Sequence, residues 1–256
     1  MKKYYVVWQG RTTGIFEDWN SCKKQIDRFA GARYKSYKTR AEAEAAYKNG
    51  TVSTKPAGKA SFKSGRSTSS KSPATLSSGQ VLEIAVDTKI FTDGGCDPNP
   101  GKSGSGIAIY RDNKISELWY GLYNSRGTNN TAELNALYQA LSICKTELTT
   151  GASVAIFCDS KYSIQCVTQW ASGWERNGWK KRGGDIKNLE IIMDLHDLYQ
   201  SLKDKMKIYH VNGHVGIEGN ELADRMSMLA IESREGSFCR YEEPINVEEI
   251  LLMNAG

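Results

Sequence analysis

Apolar and polar positions in the first 48 residues predict a small unit of strands and helices. Residues 4–8 alternate weakly and residues 15–19 return after a glycine-rich turn, as in a hairpin. Residues 22–29 place Ile26 and Phe29 on one helical face. Residues 33–38 alternate aromatic and basic side chains as a third strand, and an Ala/Glu-rich helix is expected from Thr39 to about Asn49. So small a core predicts marginal stability for this unit alone.

The pattern from residue 83 onward predicts an α/β domain. The expected strands are residues 84–93, 106–110, 115–121, 154–159 and 207–211. The expected helices are residues 131–148, 160–172, 189–202 and 220–232, the last capped by Asn220. Three antiparallel strands followed by alternating helices and strands predict a mixed five-stranded sheet with helices on its faces.

The stretch from Ile90 to Gly106 holds the most informative chemistry. A β-branched and aromatic run ends in Asp93, a Gly-Asn-Pro loop follows, and a second apolar run begins at Ile107. An unpaired carboxylate on a central strand is costly to bury. Cation binding or proton chemistry at Asp93 is therefore expected.

Between the two patterned regions, residues 49–82 are rich in Ser, Thr, Gly and Lys, with no acid between Glu44 and Glu83. Such a segment has little to bury and is predicted to be a flexible tether. About 30 flexible residues have an r.m.s. reach of roughly 30 Å. The predicted boundaries are 1–48 for the first domain, 49–86 for a basic linker, 87–235 for the second domain and 236–256 for an acidic tail. The tail has a short helix expected at 247–253 and no assigned function.

Composition narrows the class of protein. No apolar run approaches the ~20 residues of a membrane-spanning helix, and the first residues lack the long apolar region of a signal peptide. Six scattered cysteines form no CxxC pair, which favours reduced thiols in a cytoplasmic protein over disulfides or a zinc site. We expect a monomer that does not bind membranes.

Charge is distributed unevenly along the chain. Lys and Arg number 11 against 5 acids in residues 1–50, 5 against none in 51–82, and 18 against 24 in 83–256. The excess of basic residues in the N-terminal part of the chain indicates that this part binds a polyanion. The alternative is a basic tail that only increases solubility. The aromatic residues at 5, 19, 34 and 37 are interleaved with Arg33, Lys35 and Lys38. Nucleic-acid bases and sugars stack on such rings while basic side chains meet phosphates, but any one ring could instead be ordinary core.

Four acids stand at special positions of the second domain. Asp93 and Asp159 end predicted strands, Glu133 lies at the start of a predicted helix, and Asp224 lies early in the last helix. Carboxylates ending neighbouring strands repel unless a cation joins them. Two magnesium ions about 4 Å apart would suit four such acids and phosphodiester chemistry, with Mn²⁺ as an alternative. Acids at strand ends and helix starts also occur for structural reasons, so spacing alone leaves the question open.

The local motifs resemble those of known families. TDGGCDPNPG, TNNTAEL, CDSKYSIQCVTQW and HVGIEGNELAD occur in the order and at the intervals of type 1 ribonuclease H, across most of residues 87–232. YYVVWQGRTTGIFEDW and CKKQIDRFAGARYKSY resemble the hybrid-binding domain at the N-terminus of eukaryotic and some bacterial ribonucleases H. The resemblance implies a ribonuclease-H-like mixed five-stranded sheet with flanking helices, plus a small N-terminal α/β hybrid-binding domain. It also implies an endonuclease that hydrolyses the RNA strand of RNA/DNA hybrids by two-metal-ion catalysis, leaving 5′-phosphate and 3′-hydroxyl ends.

The resemblance also implies roles for individual residues. Asp93, Glu133, Asp159 and Asp224 match the metal-binding acids, and His214 matches a histidine that assists proton transfer or product release. The residues implied to read 2′-hydroxyls are Cys96 (through its backbone), Asn99, Asn129 and Glu133. Arg126, Thr128 and Asn188 match a pocket for a DNA phosphate, and Trp170 packs a DNA sugar. In the first domain, the positions implied to contact the duplex are Tyr5, Trp19, Tyr34 and Lys35, whereas Ser36 stands where a second lysine is common.

Two alternative functions explain these motifs less well. A hybrid-binding protein without catalysis would have little reason to keep four clustered acids. A different nuclease of the same broad fold, such as an integrase or resolvase, would not explain the residues that match 2′-hydroxyl readers.

Overall fold

The computed structural model describes residues 3–27, 29, 32–48, 73–181, 183–213 and 216–256. Contacts divide the chain into an N-terminal unit, residues 1–67, and a C-terminal unit, residues 68–256. Most of the predicted tether, residues 49–72, lies outside the described residues. Within the described residues, no helix is both long enough and apolar enough to span a bilayer.

The N-terminal unit is a three-stranded antiparallel sheet with two helices, in strand order β2-β1-β3. Its elements are β1 (Tyr4–Gln9), β2 (Gly14–Phe16), α1 (Trp19–Ile26), β3 (Arg33–Tyr37) and α2 (Arg40–Lys48). The fully buried apolar side chains come from one strand and both helices: Val6, Val7, Cys22 and Ala43. Each element lies close to its predicted place, so the alternation of the first 48 residues was informative despite the small core.

The C-terminal unit is built on a seven-stranded mixed sheet in the order β10-β7-β6-β5-β8-β9-β4. The strands are β4 (Thr75–Leu76), β5 (Thr88–Asp97), β6 (Gly101–Arg111), β7 (Lys114–Gly127), β8 (Val154–Cys158), β9 (Met206–Val211) and β10 (Cys239–Arg240). Neighbours β5, β6 and β7 are antiparallel, whereas β5, β8 and β9 run parallel. The five long strands are the predicted mixed sheet, and two strands of two residues each extend its edges.

Helices cover both faces of this sheet. They are α3 (Ser78–Glu83), α4 (Asn129–Thr149), α5 (Lys161–Gln165), α6 (Ala171–Arg176), α7 (Leu189–Leu202), α8 (Glu218–Ser233) and α9 (Val247–Leu251). A π-helical segment, Cys166–Trp170, joins α5 to α6, so the predicted helix at 160–172 is instead three short pieces. Adjacent residues of β5 face opposite clusters: Ile90 packs with Leu137 of α4, and Phe91 packs with Leu222 of α8. Burial on both faces explains why Ile90 and Phe91 can both be apolar although they are adjacent in the strand.

The last part of the predicted linker differs from the prediction. Strand β4 pairs in parallel with β9, and Ser77 caps α3 in a reciprocal capping box with Gln80. Val81 is buried, and the buried Lys89 ammonium donates to the Val81 carbonyl at 2.9 Å. Residues 75–83 therefore belong to the C-terminal unit and not to a flexible linker. The prediction was wrong here because the average composition of residues 49–86 concealed one short segment with an apolar side chain to bury.

Candidate active site

The four predicted acids line one cleft of about 480 Å³. Asp93 lies on β5, Glu133 is the fifth residue of α4, Asp159 follows β8, and Asp224 lies within α8. Asp93, Glu133 and Asp224 are 8%, 5% and 3% exposed. Residues distant in sequence thus bring three nearly buried carboxyl groups and a fourth, half-buried one to the same place.

Two features of the backbone create this convergence. Strands β5 and β8 are parallel with Thr92 opposite Cys158, so Asp93 and Asp159 follow at the same edge of the sheet. Glycine at position 94 lets α4 approach β5 closely, since a Cβ there would overlap the backbone of Glu133. The carboxyl group of Glu133 is thereby brought against Asp93.

Polar residues of α8 hold two of the acids. Ser227 Oγ lies 3.0 Å from Asp93 Oδ2 and 2.8 Å from the backbone carbonyl oxygen of Asp224. Asn220 Nδ2 donates to Asp159 Oδ2 at 3.2 Å. The prediction that Asn220 caps the helix is wrong: α8 begins at Glu218, and the Asn220 side chain is directed to the cleft. Sequence reasoning missed both residues, although Asn220, Asp224 and Ser227 share one helical face by their spacing.

Burial and mutual repulsion raise the pKa values of two of the acids. Burial, followed by the charges of Asp159 and Asp224, raises the pKa of Asp93 to about 8. Burial, followed by Asp93 and Asp159, raises the pKa of Glu133 well above its ordinary value. The protein therefore keeps protons in the cleft at neutral pH unless a positive charge enters it.

The donor set fits a divalent cation. Glu133 Oε2 is buried and has no hydrogen-bond partner in the described structure. Glu133, Cys158 and Asp159 each offer a ligand atom, and these atoms lie within 4.8 Å of one another. Carboxylate oxygens are the ligands that Mg²⁺ and Mn²⁺ prefer. An incoming cation would supply the missing partner of Glu133 and relieve the repulsion among the acids.

A histidine other than the predicted one contacts the site. His214 lies outside the described residues, and Gly213 before it stands so close to Asp159 that a Cβ would lie 2.7 Å from Oδ2. The buried His210 has Nε2 3.0 Å from the Asp159 carbonyl oxygen and Nδ1 2.7 Å from Thr75 Oγ1. His210 thus fixes the backbone that carries Asp159, and strand β4 in turn fixes His210.

Two of the predicted 2′-hydroxyl readers, Cys96 and Asn129, line the same cleft as the acids. Asn99 belongs to the turn between β5 and β6, and its Oδ1 accepts the Asn129 backbone N–H at 3.3 Å. The peptide bonds Asp97–Pro98 and Asn99–Pro100 in this turn are cis. The structure therefore brings Cys96, Asn99, Asn129 and Glu133 to one side of the cleft.

The residues predicted to bind a DNA phosphate lie around the start of α4. Thr128 is the N-cap of α4, and its Oγ1 accepts the Thr131 N–H. Thr131 Oγ1 donates to Asn188 Oδ1 at 3.2 Å, so Asn188 lies one side chain away from Thr128. Arg126 is exposed two residues before the cap. Trp170 is partly buried against the core and contacts the rings of Tyr162 and Trp174, with centroids 6.2 and 5.9 Å away.

In the N-terminal unit, three predicted contact residues form one aromatic cluster. The Trp19 ring centroid lies 5.5 Å from that of Tyr5 and 5.8 Å from that of Tyr34. Trp19 and Tyr34 are 41% and 47% exposed, so the cluster is a surface rather than core. Lys35 does not join it: its ammonium lies 5.7 Å from the Tyr37 ring, consistent with side chains alternating along β3.

Comparison with known proteins assigns the family. A family described as RNase H matches residues 86–232, more than half of the chain. The chain belongs to the ribonuclease H family. The family described as Ribonuclease H1 N-terminal domain matches residues 3–47. This protein is therefore a ribonuclease H enzyme with an N-terminal ribonuclease H1 domain, as the motifs predicted.

Relatives match over most of their length. Mouse ribonuclease H1 is 31% identical over 262 residues, covering 91% of this chain and 90% of the relative. Ribonuclease H of Methylorubrum extorquens strain PA1 is 37% identical over 142 residues, covering 56% of this chain and 59% of that protein.

Solved structures share the fold. The foamy viral protease-reverse transcriptase in complex with RNA/DNA hybrid aligns with a TM-score of 0.51 and 23% identity, covering 66% of this chain and 22% of that one. LC9-RNase H1, a type 1 RNase H with the type 2 active-site motif, aligns with a TM-score of 0.50 and 21% identity, covering 63% and 79%. These similarities confirm the predicted fold class.

Proposed function

We propose that this ribonuclease H is an endonuclease that hydrolyses the RNA strand of RNA/DNA hybrids, leaving 5′-phosphate and 3′-hydroxyl ends. The observation that carries the proposal is the cleft in which Asp93, Glu133, Asp159 and Asp224 converge, two of them with raised pKa values. Four converging acids in one cleft are best explained by cation binding.

The same four carboxylates would hold the metal, which we propose to be two Mg²⁺ ions, with Mn²⁺ as a substitute. When bound, divalent cations would activate the attacking water and stabilise charge on the leaving oxygen of an in-line displacement. The raised pKa values of Asp93 and Glu133 mean that cation binding releases protons from these groups. Ribonuclease H activity should therefore need less metal as the pH rises towards 8.

The remaining residues of the cleft act by positioning. Asn220 restrains one oxygen of Asp159, and Ser227 restrains one oxygen of Asp93, so each acid presents its other oxygen in a fixed direction. Fixed ligands need no reorganisation when the substrate arrives. His214 remains the proposed group for proton transfer or product release.

Selectivity for a hybrid would come from two neighbouring surfaces. The turn at Asn99 and the start of α4 at Asn129 are joined by a hydrogen bond and lie beside Glu133. Polar groups so placed can bind the 2′-hydroxyls that distinguish an RNA strand. The proposed phosphate pocket of Arg126, Thr128 and Asn188, with Trp170 nearby, would receive the DNA strand.

The N-terminal unit would hold the duplex through the cluster of Tyr5, Trp19 and Tyr34, with Lys35 contributing charge. Exposed rings offer stacking surfaces, and the unit is strongly basic. The match of residues 3–47 to the family described as Ribonuclease H1 N-terminal domain supports this role. We also propose that the enzyme is a cytoplasmic monomer.

The test compares labelled RNA/DNA, RNA/RNA and DNA/DNA duplexes incubated with the full chain and Mg²⁺. The proposal predicts cleavage of the RNA strand of the hybrid alone. The alternative, a hybrid-binding protein without catalysis, would bind the hybrid and cut nothing. Cleavage of the DNA duplex would instead indicate a different nuclease of this fold.

A further inference from the structure

The acidic C-terminal region ends in a segment that reaches the active-site cleft. Helix α9 is anchored on the C-terminal unit by Ile250, which is buried in the cluster shared with Phe91 and Leu222. The five residues after it, 252–256, are named here the C-terminal strap. Ala255 and Gly256 of the strap line the same cleft as the four acids.

The strap contacts one of the acids directly. The Gly256 backbone N–H donates to Asp224 Oδ1 at 3.1 Å, and Arg225 Nη1 donates to Asp224 Oδ2. Arg225 Nε in turn donates to the Leu251 carbonyl at 3.4 Å. Both oxygens of Asp224 are therefore engaged, one by the strap and one by an arginine that also contacts the end of α9.

A further contact and a tight fit hold the strap in place. Asn254 Nδ2 donates to Glu232 Oε1 at 2.6 Å, which ties the middle of the strap to α8. A Cβ at position 256 would lie 2.8 Å from Asp224 Oδ1 and 3.5 Å from Met228 Sδ. Any side chain larger than hydrogen would thus push the strap away from the carboxylate.

We propose that the strap is an autoinhibitory element that competes with divalent cations for Asp224. The inference rests on the proposed metal site. A cation binds carboxylate oxygen at about 2.0–2.1 Å for Mg²⁺, a position that the Gly256 N–H and its backbone exclude while the strap is docked. Cation binding at Asp224 therefore requires the strap to leave, while α9 stays anchored through Ile250. The docked strap would prevent cation binding to Asp224 at low metal concentration and yield at high concentration.

The experiment measures Mn²⁺ binding to the full chain by isothermal titration calorimetry. Gly256→Val displaces the strap by collision, and deletion of residues 254–256 removes it while leaving α9. Gly236→Val is the matched control, because a Cβ added at Gly236 would meet no atom within 4 Å and the residue does not line the cleft. Loss of one competing charge-assisted hydrogen bond predicts Mn²⁺ binding tighter by about fivefold or more in both test variants, with the control at the wild-type value.

A second readout follows the strap itself. Hydrogen exchange of the peptide covering residues 252–256 should become faster when Mn²⁺ is added to the wild type, because the Gly256 N–H loses its acceptor. Exchange in the α9 residues should stay unchanged.

Three outcomes would overturn the proposal: unchanged or weaker Mn²⁺ binding in the deletion, strap exchange that ignores Mn²⁺, or an equal gain in Gly236→Val. Where Gly256→Val and the deletion differ, the deletion decides, since valine could itself disturb Asp224. If the wild type binds Mn²⁺ and Asp93→Asn does not, the metal site stands even when the strap result is negative. If no variant binds Mn²⁺, the metal site is wrong and the strap proposal falls with it.

Discussion

Replacing Asp93 by asparagine should stabilise the metal-free enzyme. The raised pKa of Asp93 means that folding is penalised when this group must ionise. The penalty is absent below the ordinary pKa of 3.8 and grows until the pH reaches the folded value of about 8. From 3.8 to pH 7 is about three units, and each unit is worth ~1.36 kcal/mol, so the variant should gain at most about 4 kcal/mol at pH 7. At pH 5 the same reasoning gives about 1.5 kcal/mol.

The assay is thermal unfolding in EDTA at pH 5 and pH 7, with Asp194→Asn as control because Asp194 is exposed on α7. For a domain of this size, about 4 kcal/mol corresponds to a rise in Tm on the order of 10 °C. The order should reverse in saturating Mn²⁺, since the wild type alone keeps the full ligand set. A Tm in EDTA that is unchanged or lower for Asp93→Asn would refute the claim that burial and the neighbouring acids raise the pKa of Asp93 in the metal-free cleft.

Three further predictions follow from contacts in the two units. Asn220→Ala removes the hydrogen bond that restrains Asp159, so kcat on a hybrid should fall at least tenfold while thermal stability changes little; a fall in stability alone would mean that Asn220 is structural. Trp19→Ala should weaken hybrid binding about tenfold, as loss of one stacking surface does, with kcat at saturation unchanged; Tyr47→Ala, another exposed aromatic, serves as the control, and equal effects would deny the cluster a special role. A chain that begins at residue 87 loses the burial of Val81 and should unfold in urea about 2–4 kcal/mol more easily than one that begins at residue 73; equal stability would return residues 73–86 to the linker.

The hydrophobic pattern located most elements but failed in the glycine-rich stretch after Asp93. Helix α7 spans 189–202 as predicted, because its apolar face repeats regularly. The expected loop between Asp93 and Gly106 is mostly strand, with only a short turn at residues 98–100. Its glycines are there because α4 and α8 lie directly on the sheet: a Cβ at Gly104 would lie 2.7 Å from the Ala230 side chain, and one at Gly106 would lie 2.8 Å from Met226 Cβ. Glycine that permits helix–sheet packing cannot be told from turn glycine by sequence alone.

The site was predictable to the extent that strand ends and motifs mark it. Asp93 and Asp159 could be paired in advance because parallel strands end at one edge of a sheet. Asn220 was predicted to be a helix cap because the predicted start of α8, residue 220, is two residues later than the observed start at Glu218. The strap was not predictable, since a backbone N–H at Gly256 leaves no signature in the side-chain pattern. The roles of His214 and the other predicted substrate contacts stay predictions.

The central claim is that the acid cleft cuts the RNA strand of a hybrid with the help of divalent metal. It is tested most directly by measuring single-turnover cleavage of one labelled RNA/DNA hybrid by wild type and Asp93→Asn in Mg²⁺, alongside hybrid affinity. The account predicts a rate at least about 1000-fold lower for the variant, a loss of about 4 kcal/mol in transition-state stabilisation, with affinity within about threefold of wild type. Cleavage by Asp93→Asn within tenfold of the wild-type rate would contradict it.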